Sequence, residues 1–514
     1  MMASAPAPNL SELTHRESPS HPTTDWRAWL TALAFGLAAF ALFTRHNDFP
    51  FYYHTDEPSK VQQVLTKERN FHHPLLLLES TEVALVLTGA ARDPQSVVEA
   101  GRTVSAFYAA LAVVALTLLA WSHGGPIAAG LAGTLLATHP VLFELAHYMK
   151  EDCSLLAGVA VCFLGLQLYS RRPTLLRAAL TGAAAGLACS SKLIGVVIAI
   201  VALLVVLATP RHGARGDWRA AAIFLGAALL VFGFINADAL RQLAGVRGGL
   251  DNELKRIDEG TDERQGTLQI KYLSKFGRVI SWPLLLGACF WIYHRWRQRR
   301  AQSLATWALI AFPLLFAAAL SVAPVTKERY LLPVFALFCV LGALGIVELA
   351  ALRPFRRARV AAGALAALAL AWHLPKLVTY HREFSLDDRR DLAAWIRENL
   401  PPTATIIHDR RVRFDYAQKD GLPIDRIPQQ TRRPRRFLHE FGTLAELRAQ
   451  GVKYAVLCEP DYASALRPRE KKDQRLDAAQ QFYQQIMTDG RQLWARPSGH
   501  IFYLRPGLQL YELP

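Results

Sequence analysis

The sequence predicts a polytopic α-helical membrane protein followed by a small soluble α/β domain. Three observations predict it. Of 514 residues, 52% are hydrophobic and only 19% are charged, more apolar and less charged than soluble domains usually are. The apolar residues gather in about eleven runs, several long enough to cross a hydrocarbon core roughly 30 Å thick. The charges, finally, sort by side. Every second connection between runs is rich in arginine, and the connections between those carry short acidic or lysine-containing motifs instead.

Residues 1–25 are rich in Ala, Pro, Ser and Thr without apolar periodicity, so a disordered cytoplasmic leader is expected. Trp26 to Phe43 follows as a retained first span, longer than a signal-peptide core and set behind a polar leader. The stretch from Asp56 to about Arg92 reads as two helices at the membrane surface, a polar one over Pro58–Lys67 and a short apolar one over Pro74–Leu87. Further spans are expected near 98–121, 125–146, 153–169, 175–190, 193–208, 219–240, 279–294, 303–321, 330–349 and 359–374. The odd number puts the two termini on opposite sides. The transmembrane domain thus covers 26–375.

The arginine set comprises Arg171-Arg172, then Arg211, Arg215 and Arg219, then Arg295, Arg297, Arg299 and Arg300, then Arg353, Arg356, Arg357 and Arg359. Arginine-rich short loops face the cytoplasm. The complementary set, on the outward side, is Thr55-Asp56-Glu57, Lys150-Glu151-Asp152, Ser190-Ser191-Lys192 and Thr326-Lys327-Glu328-Arg329. Residues distant in sequence thereby converge on one membrane face. The long charged loop from Arg241 to Gly277 also falls outside, and a loop of that length is usually functional or disordered.

From about Tyr380 the chain takes on the character of an extracytoplasmic accessory domain over 380–514. A helix over Leu386–Leu400 ends at Pro401-Pro402, and Ala404–His408 reads as a strand. A basic loop follows around Arg432–Arg436. Thr443 and Glu446 make a capping box before a short helix that stops at Gly451. A strand over Tyr454–Leu457, a helix near Arg475–Met487 and two β-rich runs, Ile501–Leu504 and Leu508–Leu513, complete it.

The net charge of +16 does not indicate nucleic acid, because the arginines sit in short loops between apolar spans, where topology and membrane lipids account for them. Cys153, Cys162, Cys189, Cys289 and Cys339 lie in or beside apolar spans without CxxC spacing, so neither a disulfide framework nor a zinc site follows. His72-His73 lacks a matching carboxylate spacing, so no metal site is expected.

Five motifs then appear in order: Asp56-Glu57 after the first span, His73-Pro74-Leu75, His147-Tyr148-Met149-Lys150-Glu151-Asp152 opening a span, Ser191-Lys192, and Arg329-Tyr330-Leu331-Leu332-Pro333 near the last spans. Together they resemble the GT-C class of polytopic glycosyltransferases, in particular the relatives of protein O-mannosyltransferases and lipid A aminoarabinose transferases. The resemblance spans about residues 27–375. Two departures stand out: His73-Pro74 where the class has two prolines, and Lys150-Glu151-Asp152 where it usually has Lys-Pro-Asp. The second leaves open which of Glu151 and Asp152 faces the site.

The resemblance implies an enzyme that moves a sugar from a polyprenyl-phosphate donor to a lipid, glycan or protein acceptor, with inversion and without a cofactor or metal. It also implies that the active site lies on the outer side of a bacterial inner membrane. Asp56 matches the catalytic aspartate, and Asp152 is the second candidate catalytic acid, able to orient the acceptor or assist the base. Such a transfer needs a base for the acceptor proton and cations for the departing phosphate. Lys192, Lys327 and Arg329 are the candidate phosphate holders, and Glu57, His72, His73, Lys150, Glu151 and Tyr330 are the remaining candidate binding residues. The alternative is a membrane transporter or lipid flippase. Transporters tend to place polar motifs near the midplane in repeated halves, whereas here the motifs sit at span ends, on one side, without a repeat.

Overall fold

A computed structural model describes residues 25–514 except 211–216, 250, 252–278, 300–301, 322–326, 353–355, 415–423, 428–434, 436 and 469–472. The expected leader, most of the long outward loop, most of the basic run 432–436, and Arg211, Arg215, Arg300, Arg353 and Thr326 lie outside the described residues.

Among the described residues, six helices are long and apolar enough to cross a membrane: Trp26–Phe43, Pro94–Ala137, Asp152–Arg171, Trp218–Ile235, Glu328–Ala350 and Arg356–Phe384. Shorter apolar helices occupy Leu175–Ser191, Leu193–Ala208 and Leu304–Leu320. Trp282–Arg297 is helical as well. The expected spans at 98–121 and 125–146 fall largely within the 44-residue helix Pro94–Ala137, which is broken at Gly125 by a backbone of φ 73° and ψ −164°. That conformation suits glycine and few others, and Pro126 follows it. The two helices expected in the first loop are present as Glu57–Thr66 and Leu76–Thr88.

Two compact units result. The first takes the chain up to Thr44, Arg69–Ser80 and Thr103–Leu374, and the second takes Arg45–Glu68, Thr81–Arg102 and Pro375–Pro514. In the first, helices approach one another through small residues, as expected where lipid supplies no hydrophobic drive to association. A Cβ on Gly158 would lie 2.6 Å from the Ala188 backbone, and one on Gly287 would lie 2.5 Å from the Gly342 carbonyl. Side chains such as Leu229, Leu230 and Phe234 are left exposed on Trp218–Ile235. An exposed, uniformly apolar helix surface is what hydrocarbon covers.

In the second unit, four strands, β1 (Ile406–His408), β2 (Tyr454–Cys458), β3 (Arg491–Arg496) and β4 (Leu508–Glu512), form one sheet in the order β1-β2-β4-β3. β1 and β2 run parallel, and the other pairs are antiparallel. One sheet face packs Leu392, Ala393 and Ile396 of helix Asp388–Asn399 against Ile406, Val456 and Leu510. The opposite face packs Leu447, Phe482, Tyr483 and Ile486 against Ile407, Ala455 and Leu457. The Thr443–Glu446 capping box is present, with both reciprocal hydrogen bonds.

One expectation for this unit is corrected, and one strand was not expected. Ile501–Leu504 is a turn, not a strand: the Leu504 and Arg505 N–H groups both donate to the Ile501 carbonyl, and the Ile501 N–H donates to Glu383 Oε2 at 2.6 Å. Its apolar residues are buried at the ends of a bend. A strand does form at Arg491–Arg496, where charged ends and a bulge between Gln492 and Trp494 hide the alternation.

Asp409, at the end of β1, is buried, accepting the Tyr483 hydroxyl at 2.5 Å and the Cys458 N–H at 2.8 Å. Burial, and then the charge of Asp461, push its carboxyl well above the usual range. Because the folded value exceeds the unfolded one, the stabilising contribution is complete below the ordinary aspartate range and is lost as pH rises through the raised value. The full-length protein is therefore expected to lose thermal stability between pH 5 and pH 8 more steeply than its Asp409→Asn variant. Parallel profiles for the two proteins would contradict this.

Candidate active site

In the first unit, Lys150, Glu151 and Asp152 come together with Lys192, Arg329 and Tyr330 in a largely buried polar cluster. Helix Pro140–Ala146 ends at His147, whose Nδ1 bonds the Phe143 carbonyl at 2.7 Å. The following turn delivers Lys150, Glu151 and Asp152 to the start of helix Asp152–Arg171, with only 3%, 4% and 2% of their surfaces exposed. Three consecutive charged residues buried at a span end are costly, and such groups usually mark function. Ser105 fixes the turn by exchanging hydrogen bonds with the Lys150 backbone, its hydroxyl donating to the carbonyl and accepting the N–H, both at 3.3 Å.

Lys192 caps the C-terminus of helix Leu175–Ser191 in an extended conformation, and its ammonium pairs with Asp152 Oδ1. Asp152 Oδ2 is buried and has no hydrogen-bond partner among the described residues. The Tyr330 ring lies 5.4 Å from Lys192 Nζ and 5.5 Å from the Arg329 guanidinium carbon, so it stands beside both cations. Lys150 and Arg329 also act electrostatically on Asp152. Lys327, exposed, precedes the turn Glu328–Leu331 that carries Arg329 and Tyr330.

His72 is half-buried and His73 exposed. The chain just after them is tied down by Asn236: its Oδ1 accepts the Leu75 N–H at 2.9 Å, and its Nδ2 donates to Ser190 Oγ at 3.1 Å. One buried amide thus joins the His72–Leu75 segment to the Ser190–Lys192 motif. Sequence reasoning missed Asn236. Its only signal was a polar residue at the end of a long apolar run.

In the second unit, half-buried Asp56 opens helix Glu57–Thr66, with its N–H donating to His54 Nδ1 at 3.1 Å. Glu57, expected among the binding residues, has both carboxylate oxygens on Arg102, at 3.0 and 2.6 Å, and neither side chain has exposed surface. Arg102 also donates to the carbonyls of Asn47 at 2.8 Å and Phe49 at 2.5 Å. Its guanidinium carbon lies 3.4 Å from the Phe49 ring centroid. Glu57 therefore anchors the loop that presents Asp56. Arg102 was also missed, although an arginine inside an apolar helix is itself a signal. Among the described residues, no three His, Cys, Asp or Glu side chains gather as a metal ligand set would.

Residues 94–231 match the family model described as dolichyl-phosphate-mannose-protein mannosyltransferase. None of the curated proteins matches the sequence. The fold is similar to that of ArnT from Cupriavidus metallidurans bound to undecaprenyl phosphate, with a TM-score of 0.50, 14% identity, and 93% of this chain and 97% of that one covered. The same enzyme in its apo state gives a TM-score of 0.47 at 15% identity, covering 86% and 95%. The oligosaccharyltransferase AglB from Archaeoglobus fulgidus, in complex with an inhibitory peptide and a dolichol-phosphate, gives 0.46 at 15% identity, covering 87% and 71%. Over residues 94–231 the chain thus resembles the mannosyltransferase family, and its fold resembles that of ArnT.

Removing one partner of a buried ion pair costs about 3–5 kcal/mol, because the other charge stays buried. Arg102→Ala is accordingly expected to lower the unfolding temperature of the detergent-solubilised protein sharply, and Arg102→Lys to restore little of it, since an ammonium cannot reproduce the forked contacts. Wild-type thermal stability in Arg102→Ala would show that the pair does not hold the loop.

Proposed function

We propose that this chain transfers a sugar from a polyprenyl-phosphate donor to a lipid, glycan or protein acceptor on the outer side of a bacterial inner membrane, by single displacement with inversion. The acceptor's nucleophilic atom attacks the anomeric carbon, the bond from that carbon to the phosphate oxygen breaks, and Asp56 takes the acceptor proton. Lys192, Arg329 and Lys327 hold the phosphate that departs, the guanidinium offering paired donors and the ammonium groups point charges. The undecaprenyl phosphate bound to the ArnT of similar fold supports a polyprenyl phosphate as the lipid carrier.

The observation that carries this reading is the cluster of buried Asp152 with half-buried Lys192, Arg329 and Tyr330, in which one oxygen of Asp152 has no hydrogen-bond partner among the described residues. A carboxylate with one oxygen on a lysine and the other unbonded can accept a hydrogen bond from an acceptor hydroxyl, so Asp152 orients the acceptor. This also favours Asp152 over Glu151 as the acid that faces the site. Tyr330, beside both cations, keeps Lys192 and Arg329 together when the phosphate's charge develops.

Asp56→Asn is expected to fold normally and to lose at least about 100-fold in transfer rate, since an amide accepts no proton. Transfer is measured with membranes supplying the lipid-linked donor. Activity at the wild-type level would remove Asp56 as the base. Arg329→Ala is expected to weaken binding of undecaprenyl phosphate by roughly tenfold or more, the worth of a hydrogen bond to a charged group. Unchanged affinity would take Arg329 out of the phosphate site.

A further inference from the structure

Asp56 lies on a stretch of chain that the C-terminal part of the same unit grips from several sides. Tyr53 donates its hydroxyl to the Asp387 carboxylate, with oxygens at 2.8 and 3.0 Å. Burial, and then the charge of Asp387, keep that phenol protonated, well above its ordinary pKa. Asp387 is itself held in place, because it caps helix Asp388–Asn399 by accepting the N–H groups of Arg389 and Arg390. The Arg389 guanidinium carbon lies 4.3 Å from the Tyr53 ring centroid. That guanidinium is buried and fixed, with Nη1 donating to the Tyr503 carbonyl at 2.6 Å, Nε to Val412 at 2.9 Å and Nη2 to Arg411 at 2.7 Å.

Tyr503 then returns to the loop. Its ring lies 4.1 Å from the ring of His54, which is buried, and His54 Nδ1 accepts the N–H of Asp56. The turn that carries Tyr503 is pinned in turn, with the Ile501 N–H on Glu383. One path from Tyr503 to Asp56 thus runs through the buried His54 ring, whose Nδ1 accepts the Asp56 N–H.

We propose that the C-terminal domain is a positioning element for the transfer, in which Tyr503 acts through His54, and Asp387 with Arg389 through Tyr53, to fix the backbone that presents Asp56. The proposal rests on Asp56 being the base. A base on a loop is useful only in proportion to the time it spends in reach of the proton, and a displacement of 1 Å can cost about 100-fold. The domain therefore does more than shape access for the acceptor. Cutting its contacts lowers turnover while the residues that hold the phosphate, on the other unit, keep their affinity.

The test uses the full-length protein and four variants: Tyr503→Ala, Tyr503→Phe, Tyr53→Phe and Asp56→Asn. Three quantities are read: backbone hydrogen exchange over residues 51–57, affinity for undecaprenyl phosphate, and transfer in membranes that supply the donor. Tyr503→Ala is expected to speed exchange over 51–57 by about tenfold or more, to leave exchange over 147–155 and the lipid affinity unchanged, and to lower transfer by roughly 10- to 100-fold. Tyr503→Phe, which keeps the ring, restores all three to wild-type values. Tyr53→Phe, which loses only the bond to Asp387, gives a smaller change in the same direction.

Unchanged exchange over 51–57 in both Tyr503→Ala and Tyr53→Phe would overturn the proposal. So would faster exchange with full transfer, provided Asp56→Asn abolishes transfer. Full transfer by Asp56→Asn would instead overturn the assignment of the base itself, whatever the exchange shows.

Discussion

A guanidinium with no exposed surface, placed against a carboxylate with none, is the constraint on which the loop after the first span depends. Arg102 reaches back from its helix to Glu57 and to the carbonyls of Asn47 and Phe49. Burying either charge alone would be prohibitive, and burying both is tolerable only when nearly every donor and lone pair is used. That condition leaves the loop few alternative conformations. Asp56 inherits its position from its neighbour Glu57, whose partner Arg102 lies 45 residues further along the chain.

The membrane unit solves a related problem differently. Its apolar helices gain little from hydrophobic association in lipid, so close approach at Gly158, Gly287 and Gly342 supplies dispersion contact instead. Packing of that kind leaves few places for polar groups. Charge is gathered at a span end, where Asp152 meets Lys192 and Tyr330 stands beside Lys192 and Arg329. Asn236 does with a neutral amide what Arg102 does with a charge, closing Leu75 onto Ser190 without burying an ion.

The long apolar helices were legible because length and apolar content, which membrane crossing demands, are written directly in the chain. The helix Trp26–Phe43 is present as predicted, the two helices of the first loop lie within two residues of their expected ends, and the Thr443–Glu446 box is intact. Strand β3 and the turn at Ile501 were not legible, since a bulged edge strand lacks alternation and a buried bend imitates a strand in composition. The motif residues were visible as motifs. Arg102 and Asn236 left only the sign of a polar residue in or at the end of an apolar run, and Tyr53 and Tyr503 left none, because each owes its importance to a partner far away in sequence. Glu57 shows the same limit: its type and place suggested a ligand contact, and only the position of Arg102 reveals an anchor.

The proposed reaction consumes a polyprenyl-phosphate-linked sugar and delivers it to an envelope acceptor. Comparison of envelope glycans and lipid-linked sugars between cells lacking the chain and their parent tests it most directly. The account predicts that one glycan modification disappears while its polyprenyl-phosphate sugar accumulates, and that the wild-type gene reverses both. An unchanged glycan profile together with an unchanged pool of lipid-linked sugar would contradict it.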